Sequence, residues 1–169
     1  MEESDNIAAV AVIDLSEGTA MSSLPAMTRI LRQTPHSFHS HEEAIAWSLQ
    51  RGSERSREAN RVAIPSRLQR SDSGALEWRT NLFSTRDFWV DWFKGFSDDF
   101  ANLRTARLLI LAETDRLDKP LTIAQMQGRF QLEVLPGSGH EVHENNHKAV
   151  ERILREFVAR NKQFRSDIF

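Results

Sequence analysis

Leu108-Leu109-Ile110-Leu111-Ala112 is an unbroken apolar run that passes into the charged turn Glu113-Thr114-Asp115-Arg116. With no polar alternation, such a run suits a strand covered on both faces, as in a parallel sheet flanked by helices. Asp115 stands where that strand would emerge. Arg129 to Leu135 alternates around Phe130, Leu132 and Val134 and stops at Pro136, which has no amide proton for a ladder. Gly137-Ser138-Gly139-His140 follows as a loop. Ala8 to Ile13 is a further small and β-branched run, and it ends in Asp14. Ligands of open α/β sheets bind beyond the carboxyl ends of the strands, so Asp14, Asp115 and His140 all fall on the working edge. A histidine there can act as a general base oriented by a carboxylate.

The 169 residues suffice for one domain with a real core, and 40% hydrophobic with 27% charged residues is a globular balance. A net charge of -2 with both signs mixed gives no basic surface for nucleic acid. The start Met1-Glu2-Glu3-Ser4-Asp5 is acidic, unlike a signal or transit peptide, and no apolar run approaches a membrane span. The expectation is a soluble, intracellular chain without membrane partners. Absence of cysteine excludes disulfides and thiol catalysis and suits a reducing compartment.

Between the first two strands the sequence predicts mainly helix. Thr19 to Arg32 carries Met21, Leu24, Met27 and Leu31 at helical spacing, which reads as a packing stripe with Pro25 near the first turn. Ser40-His41-Glu42-Glu43 is a capping box ahead of Ala44, Ile45, Trp47 and Leu49, with Gly52 closing the helix. Val62 to Leu68 predicts a helix interrupted at Pro65, Arg70 to Gly74 a turn, and Leu76 to Leu82 a strand or hairpin arm. Thr85-Arg86-Asp87 should cap an aromatic helix over Phe88 to Phe93 that Gly95 ends, with Ser97 capping a shorter helix. Phe88, Trp89, Trp92 and Phe96 share a face, as a lid helix packed on the core or as the aromatic wall of a pocket. Pro120 to Gln127 predicts a short helix. Val150, Ile153, Leu154, Phe157 and Val158 give the stripe of a final helix on the sheet, and Asn161 to Phe169 a polar tail.

Two chemistries compete for the histidines. His143-Glu144-Asn145-Asn146-His147 matches H-E-x-x-H, in which histidines one helical turn apart bind zinc and the glutamate activates water. Its context is poor: Asn145-Asn146 are weak helix formers beside a glycine loop, and no good third ligand is evident. His36, His39 and His41 match no ligand spacing and read as solvated loop residues. The strand-end aspartates and His140 have the better context for a nucleophile-base-acid triad, in the order Asp before His used by α/β-hydrolases. Proximity of strands favours Asp115 as the acid. Taken singly, either aspartate reads more readily as a helix cap or turn residue than as a catalytic one.

Longer matches add to this. They comprise Ile13-Asp14 with Glu17-Gly18-Thr19-Ala20-Met21, Ala44-Ile45 with Trp47-Ser48, and Trp89 with Asp91-Trp92-Phe93 and Gly95. Further on come Asp115 to Lys119, Leu121-Thr122-Ile123, Gln125 to Gly128, and Gly139-His140 with Val142-His143-Glu144. On these stretches, from about Val12 to Arg160, the chain resembles the C-terminal half of the protein phosphatase methylesterases. The resemblance implies the C-terminal part of an α/β-hydrolase fold: a mostly parallel sheet flanked by helices, with a helical lid insertion. Residues 1–18 and 104–169 would form the core and residues 19–103 the lid, within one partial domain.

The same resemblance implies ester hydrolysis by a serine nucleophile, without an organic cofactor or metal. The substrate would be the C-terminal leucine methyl ester of the type 2A protein phosphatase catalytic subunit, in the cytoplasm or the nucleus. It places the base on His140 and the acid on Asp14 rather than Asp115. The family's serine sits on a G-x-S-x-G elbow upstream of the strand ending at Asp14. No G-x-S-x-G occurs in this sequence: Gly95-Phe96-Ser97-Asp98-Asp99 lacks the second glycine. The expectation is that the first strands and the nucleophile are missing, that the chain has no turnover alone, and that an exposed sheet edge leaves it poorly soluble or in need of a partner. A non-catalytic phosphatase-binding fragment is the alternative.

Overall fold

A computed structural model describes residues 7–50 and 56–161. In chain order the elements are β1 (Ala9–Ile13), α1 (Glu17–Arg32), β2 (Ser37–Phe38), α2 (His41–Gln50), α3 (Arg57–Ser66), β3 (Leu68–Arg70), β4 (Leu76–Trp78) and α4 (Trp89–Phe93). Then follow α5 (Phe96–Asn102), β5 (Ala106–Leu111), α6 (Lys119–Met126), β6 (Gln131–Val134), α7 (Val142–Asn145) and α8 (His147–Asn161). The chain divides into two compact units: Met1–Met21 with Phe93–Phe169, and Ser22–Trp92.

The first unit holds a three-stranded parallel sheet in the order β1-β5-β6. The apolar run over 108–111 makes β5 the central strand, and its four side chains are fully buried. Alternation sends Leu109 and Leu111 to one face, against Phe100, Ala101, Leu121, Ala124 and Phe130. Leu108 and Ile110 go to the other, against Val142, Val150, Ile153 and Phe157. Burying each such side chain contributes about 1.5–3 kcal/mol, so β5 is the element around which both helical layers assemble. Alignment of β1 with β5 in register, Ile13 opposite Ile110, brings their C-terminal ends to the same edge. β6 pairs Val134 with Leu111 and ends there too, two residues ahead of Pro136.

The second unit has its own core of Phe38, Ala44, Ile64, Leu68 and Leu76 beside the antiparallel sheet β2-β4-β3. Phe38, Trp47 and Trp78 meet edge-on or tilted, with centroids 5.6–6.0 Å apart. The Trp78 indole donates to the Pro35 carbonyl at 2.8 Å. Buried Ser48 donates to Asn60 across α2 and α3 at 2.7 Å, which satisfies two polar groups that burial would otherwise penalise. The capping box is present: Ser40 Oγ accepts from the Glu43 amide, and the Glu43 carboxylate accepts from the His39 amide.

Several helix expectations need correction. α1 starts at Glu17, which puts Pro25 in its interior rather than its first turn, and none of its residues is buried. Helical spacing shows which residues share a face, not whether anything covers that face. α3 begins at Arg57 and retains Pro65 in its last turn, while Leu68 belongs to a strand. The segment before α4 is a 3-10 helix over Leu82–Phe88 capped by Asn81, so Thr85-Arg86-Asp87 lie inside it. Ser97 is no cap either: Gly95, in the left-handed conformation, takes the N-cap position of α5. Of the aromatic face, Trp89 is buried, whereas Phe88 and Trp92 are exposed. Gly52 and most of the polar tail lie outside the described residues.

Candidate active site

Asp14 follows β1 directly. Its amide still donates to the Ile110 carbonyl at 2.7 Å, and the backbone then turns to φ 50, the one positive value among the described non-glycine residues. Aspartate tolerates this region better than most residues, and strain of this kind concentrates at functional sites. The turn swings the carboxylate under the end of β5, where Oδ1 accepts from the Ala112 amide at 2.9 Å. Oδ2 meets Arg116 Nη1 and His140 Nδ1, each at 2.7 Å. Only 1% of the Asp14 side chain is exposed, against 62% for His140. Residues 126 apart in sequence thus meet at one sheet edge.

Burial tends to push the Asp14 carboxyl up. The His140 hydrogen bond, the Ala112 amide and the charges of Arg116 and His140 outweigh that and hold it below the ordinary aspartate value of 3.8. An ionised carboxylate only accepts hydrogen bonds, so His140 Nδ1 must carry the proton it shares with Oδ2. Nε2 is then the atom that would exchange a proton with a substrate or nucleophile. The Asp14 hydrogen bond raises the His140 pKa above 6.5; desolvation opposes it, the charges of Asp14 and Glu141 support it, and that of Arg116 opposes it.

These shifts give opposite pH dependences of stability. Asp14, with its folded pKa lowered, contributes stability above 3.8 that is lost as pH falls through that value towards the folded one. His140, with its folded pKa raised, contributes stability fully present below 6.5 and lost as pH rises through the raised value. Denaturant melts of the chain across pH should show both limbs. Asp14→Asn should remove the acid limb and weaken the alkaline one, and an acid limb of unchanged amplitude would contradict the ionised assignment.

The loops that carry Asp14 and Arg116 are laced together. Buried Ser16 donates to the Arg116 carbonyl at 2.6 Å, and Thr19 to the same oxygen at 3.3 Å. Asp118 Oδ2 accepts from the Gly18 amide at 3.0 Å and from Ser97 Oγ at 2.6 Å, while its Oδ1 caps α6 at the Leu121 amide. Ser97 Oγ in turn accepts from the Glu17 amide at 3.1 Å. Glycine at 18 suits this approach, because a Cβ there would stand 3.0 Å from the Asp118 Cβ and Asp118 would have to give way. The histidine loop has its own brace. Asn145 donates to the Ser138 carbonyl at 2.6 Å, and Asn146 to the Ser138 hydroxyl at 3.4 Å.

A scan against protein families matches residues 6–153 to the alpha/beta hydrolase family. The chain belongs to that family. Among solved structures, this α/β-hydrolase resembles E-2-(acetamidomethylene)succinate hydrolase, with TM-score 0.70 at 18% identity over 94% of this chain and 60% of that one. An esterase of M. tuberculosis gives TM-score 0.67 at 17% identity, over 93% of this chain and 56% of that one. At those identities the likeness concerns the fold. Sequence relatives come much nearer. Protein phosphatase methylesterase 1 of Schizosaccharomyces pombe is 45% identical over 157 residues, 93% of this chain and 46% of its own length. The probable protein phosphatase methylesterase 1 of Caenorhabditis elegans is 40% identical over 94% of this chain and 44% of its own length. The resemblance read from the sequence is upheld, and this α/β-hydrolase chain spans less than half of those relatives.

The remaining candidates are placed differently. Asp115 is exposed in a 3-10 turn over Thr114–Arg116. The H-E-x-x-H match is not one helix: α7 ends at Asn145, Asn146 has φ -128 and ψ 46, and His147 opens α8. Its asparagines serve the Ser138 loop instead. Among the described residues, Glu141, His143 and Glu144 form the one group whose ligand atoms converge, within 4.8 Å, and His147 is not part of it. His36, His39 and His41 join no such group.

Proposed function

We propose that this chain carries the acid and the base of a serine carboxylesterase of the protein phosphatase methylesterase type. Its substrate would be the methyl ester on the C-terminal leucine of the type 2A protein phosphatase catalytic subunit, its partner that subunit's tail, and its setting the cytoplasm or the nucleus. The observation that carries the reading is the 2.7 Å contact of His140 Nδ1 with the buried Asp14 carboxylate at the sheet edge, together with 45% identity to a named methylesterase. Residues 19–103 would be the lid insertion, and the compact unit Ser22–Trp92 makes up most of that stretch.

In this reaction His140 Nε2 takes the serine proton as the hydroxyl attacks the ester carbonyl, then returns a proton to the departing methanol. It next activates water to hydrolyse the acyl-enzyme, while Asp14 holds the tautomer and stabilises the imidazolium. The serine itself has no G-x-S-x-G counterpart in these 169 residues, so the chain alone should show no turnover above background. The test compares it with a chimera in which the part of the S. pombe relative preceding the matched stretch is placed ahead of this chain. Expected are labelling of the chimera by a serine-reactive fluorophosphonate and hydrolysis of a methylated phosphatase tail peptide, both absent from the chain alone. A folded chimera that labels but leaves the methyl ester intact would refute the substrate. Hydrolysis by the chain alone, lost in His140→Ala, would refute the need for an upstream serine. Co-purification of the chain with the phosphatase, with no turnover by the chimera, would favour the binding-fragment reading.

A further inference from the structure

We infer that Arg116 is a positioning residue of the Asp14–His140 pair: its guanidinium fixes the rotation of the shared carboxylate and limits how basic that carboxylate makes the imidazole. This rests on the proposed reading of the pair and deepens it.

Arg116 Nη1 and His140 Nδ1 converge on one atom, Asp14 Oδ2, at equal distances of 2.7 Å. With the Ala112 amide on Oδ1 at 2.9 Å, both carboxylate oxygens are engaged, so the carboxylate cannot rotate without giving up a donor. The Asp14 side chain is almost wholly buried, and that of Arg116 is 22% exposed. A charge this deep needs a paired cation when the imidazole is neutral, and an arginine stays charged at any working pH. Arg116 is itself held: Ser16, from the turn after Asp14, and Thr19, from the first turn of α1, donate to its carbonyl. Both ends of the ion pair are therefore tethered to the same turn.

Arg116 Nη1 also lies 3.5 Å from His140 Nδ1. Both atoms are donors when Asp14 is ionised, so this is the approach of two like partial charges rather than a hydrogen bond. Protonating the imidazole adds a full charge beside the guanidinium, and the guanidinium opposes it. Among the described residues, Asp14 from the end of β1 and Glu141 from its own loop raise the His140 pKa, while Arg116, from the loop after β5, lowers it. A carboxylate facing the imidazole alone would make a stronger base that stays protonated, and so idle, to higher pH. Arg116 trades some basicity for availability near neutrality.

The test is an NMR titration of the His140 imidazole in the full chain, comparing parent, Arg116→Met, Arg116→Gln, Arg116→Lys and Asp14→Asn, with far-UV circular dichroism as the folding check. Asp14→Asn should move the His140 pKa down. Arg116→Met and Arg116→Gln should both move it up, and Arg116→Lys, which keeps the charge, should stay nearer the parent. A His140 titration unmoved in Arg116→Met and Arg116→Gln, with Asp14→Asn shifting it down, would reduce Arg116 to a brace and overturn this inference alone. A titration unmoved by Asp14→Asn would overturn the pair itself, and this inference with it. In the chimera, Arg116→Met should shift the acid limb of the kcat/KM profile to higher pH, which a merely structural role would not do.

Discussion

His140→Ala should lower kcat for ester hydrolysis by about 10^6-fold in the chimera that supplies the upstream serine, the loss typical of removing the base from a hydrolase triad. The imidazole is the group placed to take the serine proton and return it to the leaving methanol, and a methyl side chain can do neither. Folding should survive. The side chain is 62% exposed, and without it Asp14 keeps its bonds to Ala112 and Arg116. Substitutions at exposed positions ordinarily change stability by no more than about 0.5 kcal/mol, and loss of the Asp14 bond adds a modest cost here. A single experiment therefore separates chemistry from structure: unchanged circular dichroism and KM, with kcat at background. A fall of less than about 100-fold would mean that another group takes the proton, since general acid–base catalysis is worth at least that much. Asp115→Ala is the internal control. Exposed in its 3-10 turn, it should leave kcat within a factor of about two.

What the sequence revealed and what it hid follow from the range of the interactions involved. β5 is legible because a strand covered on both faces must be apolar at every position, and residues 108–111 satisfy that condition. The strand ends are equally local, set by Pro136 on one side and by the abrupt change to charge after Ala112 on another. That Asp14 and His140 lie on the working edge could be reasoned from strand ends, but that they touch could not. Pattern alone favoured Asp115, because its strand precedes the histidine strand, and only the family resemblance pointed to Asp14. In the structure it is Asp14 that meets the histidine: β5 lies between β1 and β6, and the turn at Asp14 carries its carboxylate under the end of β5 to His140.

Arg116, Asp118, Ser97, Ser16 and Thr19 are not legible as a set in the sequence, for a different reason. Each has an ordinary local use. Asp118 does cap α6, and Ser97 stands two residues after Gly95, where a cap would be expected. Their joint role appears only across separations of 21 to 102 residues, for which sequence offers no periodicity. One signal was available. D-R-L-D places an arginine and a second aspartate just beyond a buried strand, where turn residues need only be polar, and charge there in excess of solvation asks for partners. The asparagines of His143 to His147 teach the converse. They spoil a zinc helix because their side chains are already committed to Ser138.

Asp14→Asn should cost about 10^4-fold in kcat, the scale seen when a triad aspartate is replaced by its amide. The reasoning here comes from the donors around it. The carboxylate receives Ala112 N on Oδ1 and both Arg116 Nη1 and His140 Nδ1 on Oδ2. An amide has one oxygen and one NH2 group. With the oxygen at the Oδ2 position, the NH2 faces the Ala112 N–H, leaving two buried donors opposed. With the oxygen at Oδ1, the NH2 faces Arg116 and His140, and the imidazole must turn away or adopt the tautomer that places its proton on Nε2, where it can no longer accept one. Neither orientation satisfies all three donors. Asparagine tolerates φ 50 as well as aspartate does, so backbone strain does not enter, and the loss isolates the charge and its acceptor geometry. Stability should fall as well, by about 1–3 kcal/mol for the buried donor left unpaired, with most of the difference disappearing below the acid limb. Chimeras of the parent and of Asp14→Asn, compared by kcat at neutral pH and by denaturant melts at low and neutral pH, should show both effects together. A full kcat with a normal melt would mean that the carboxylate at 14 neither orients nor stabilises the imidazole it touches.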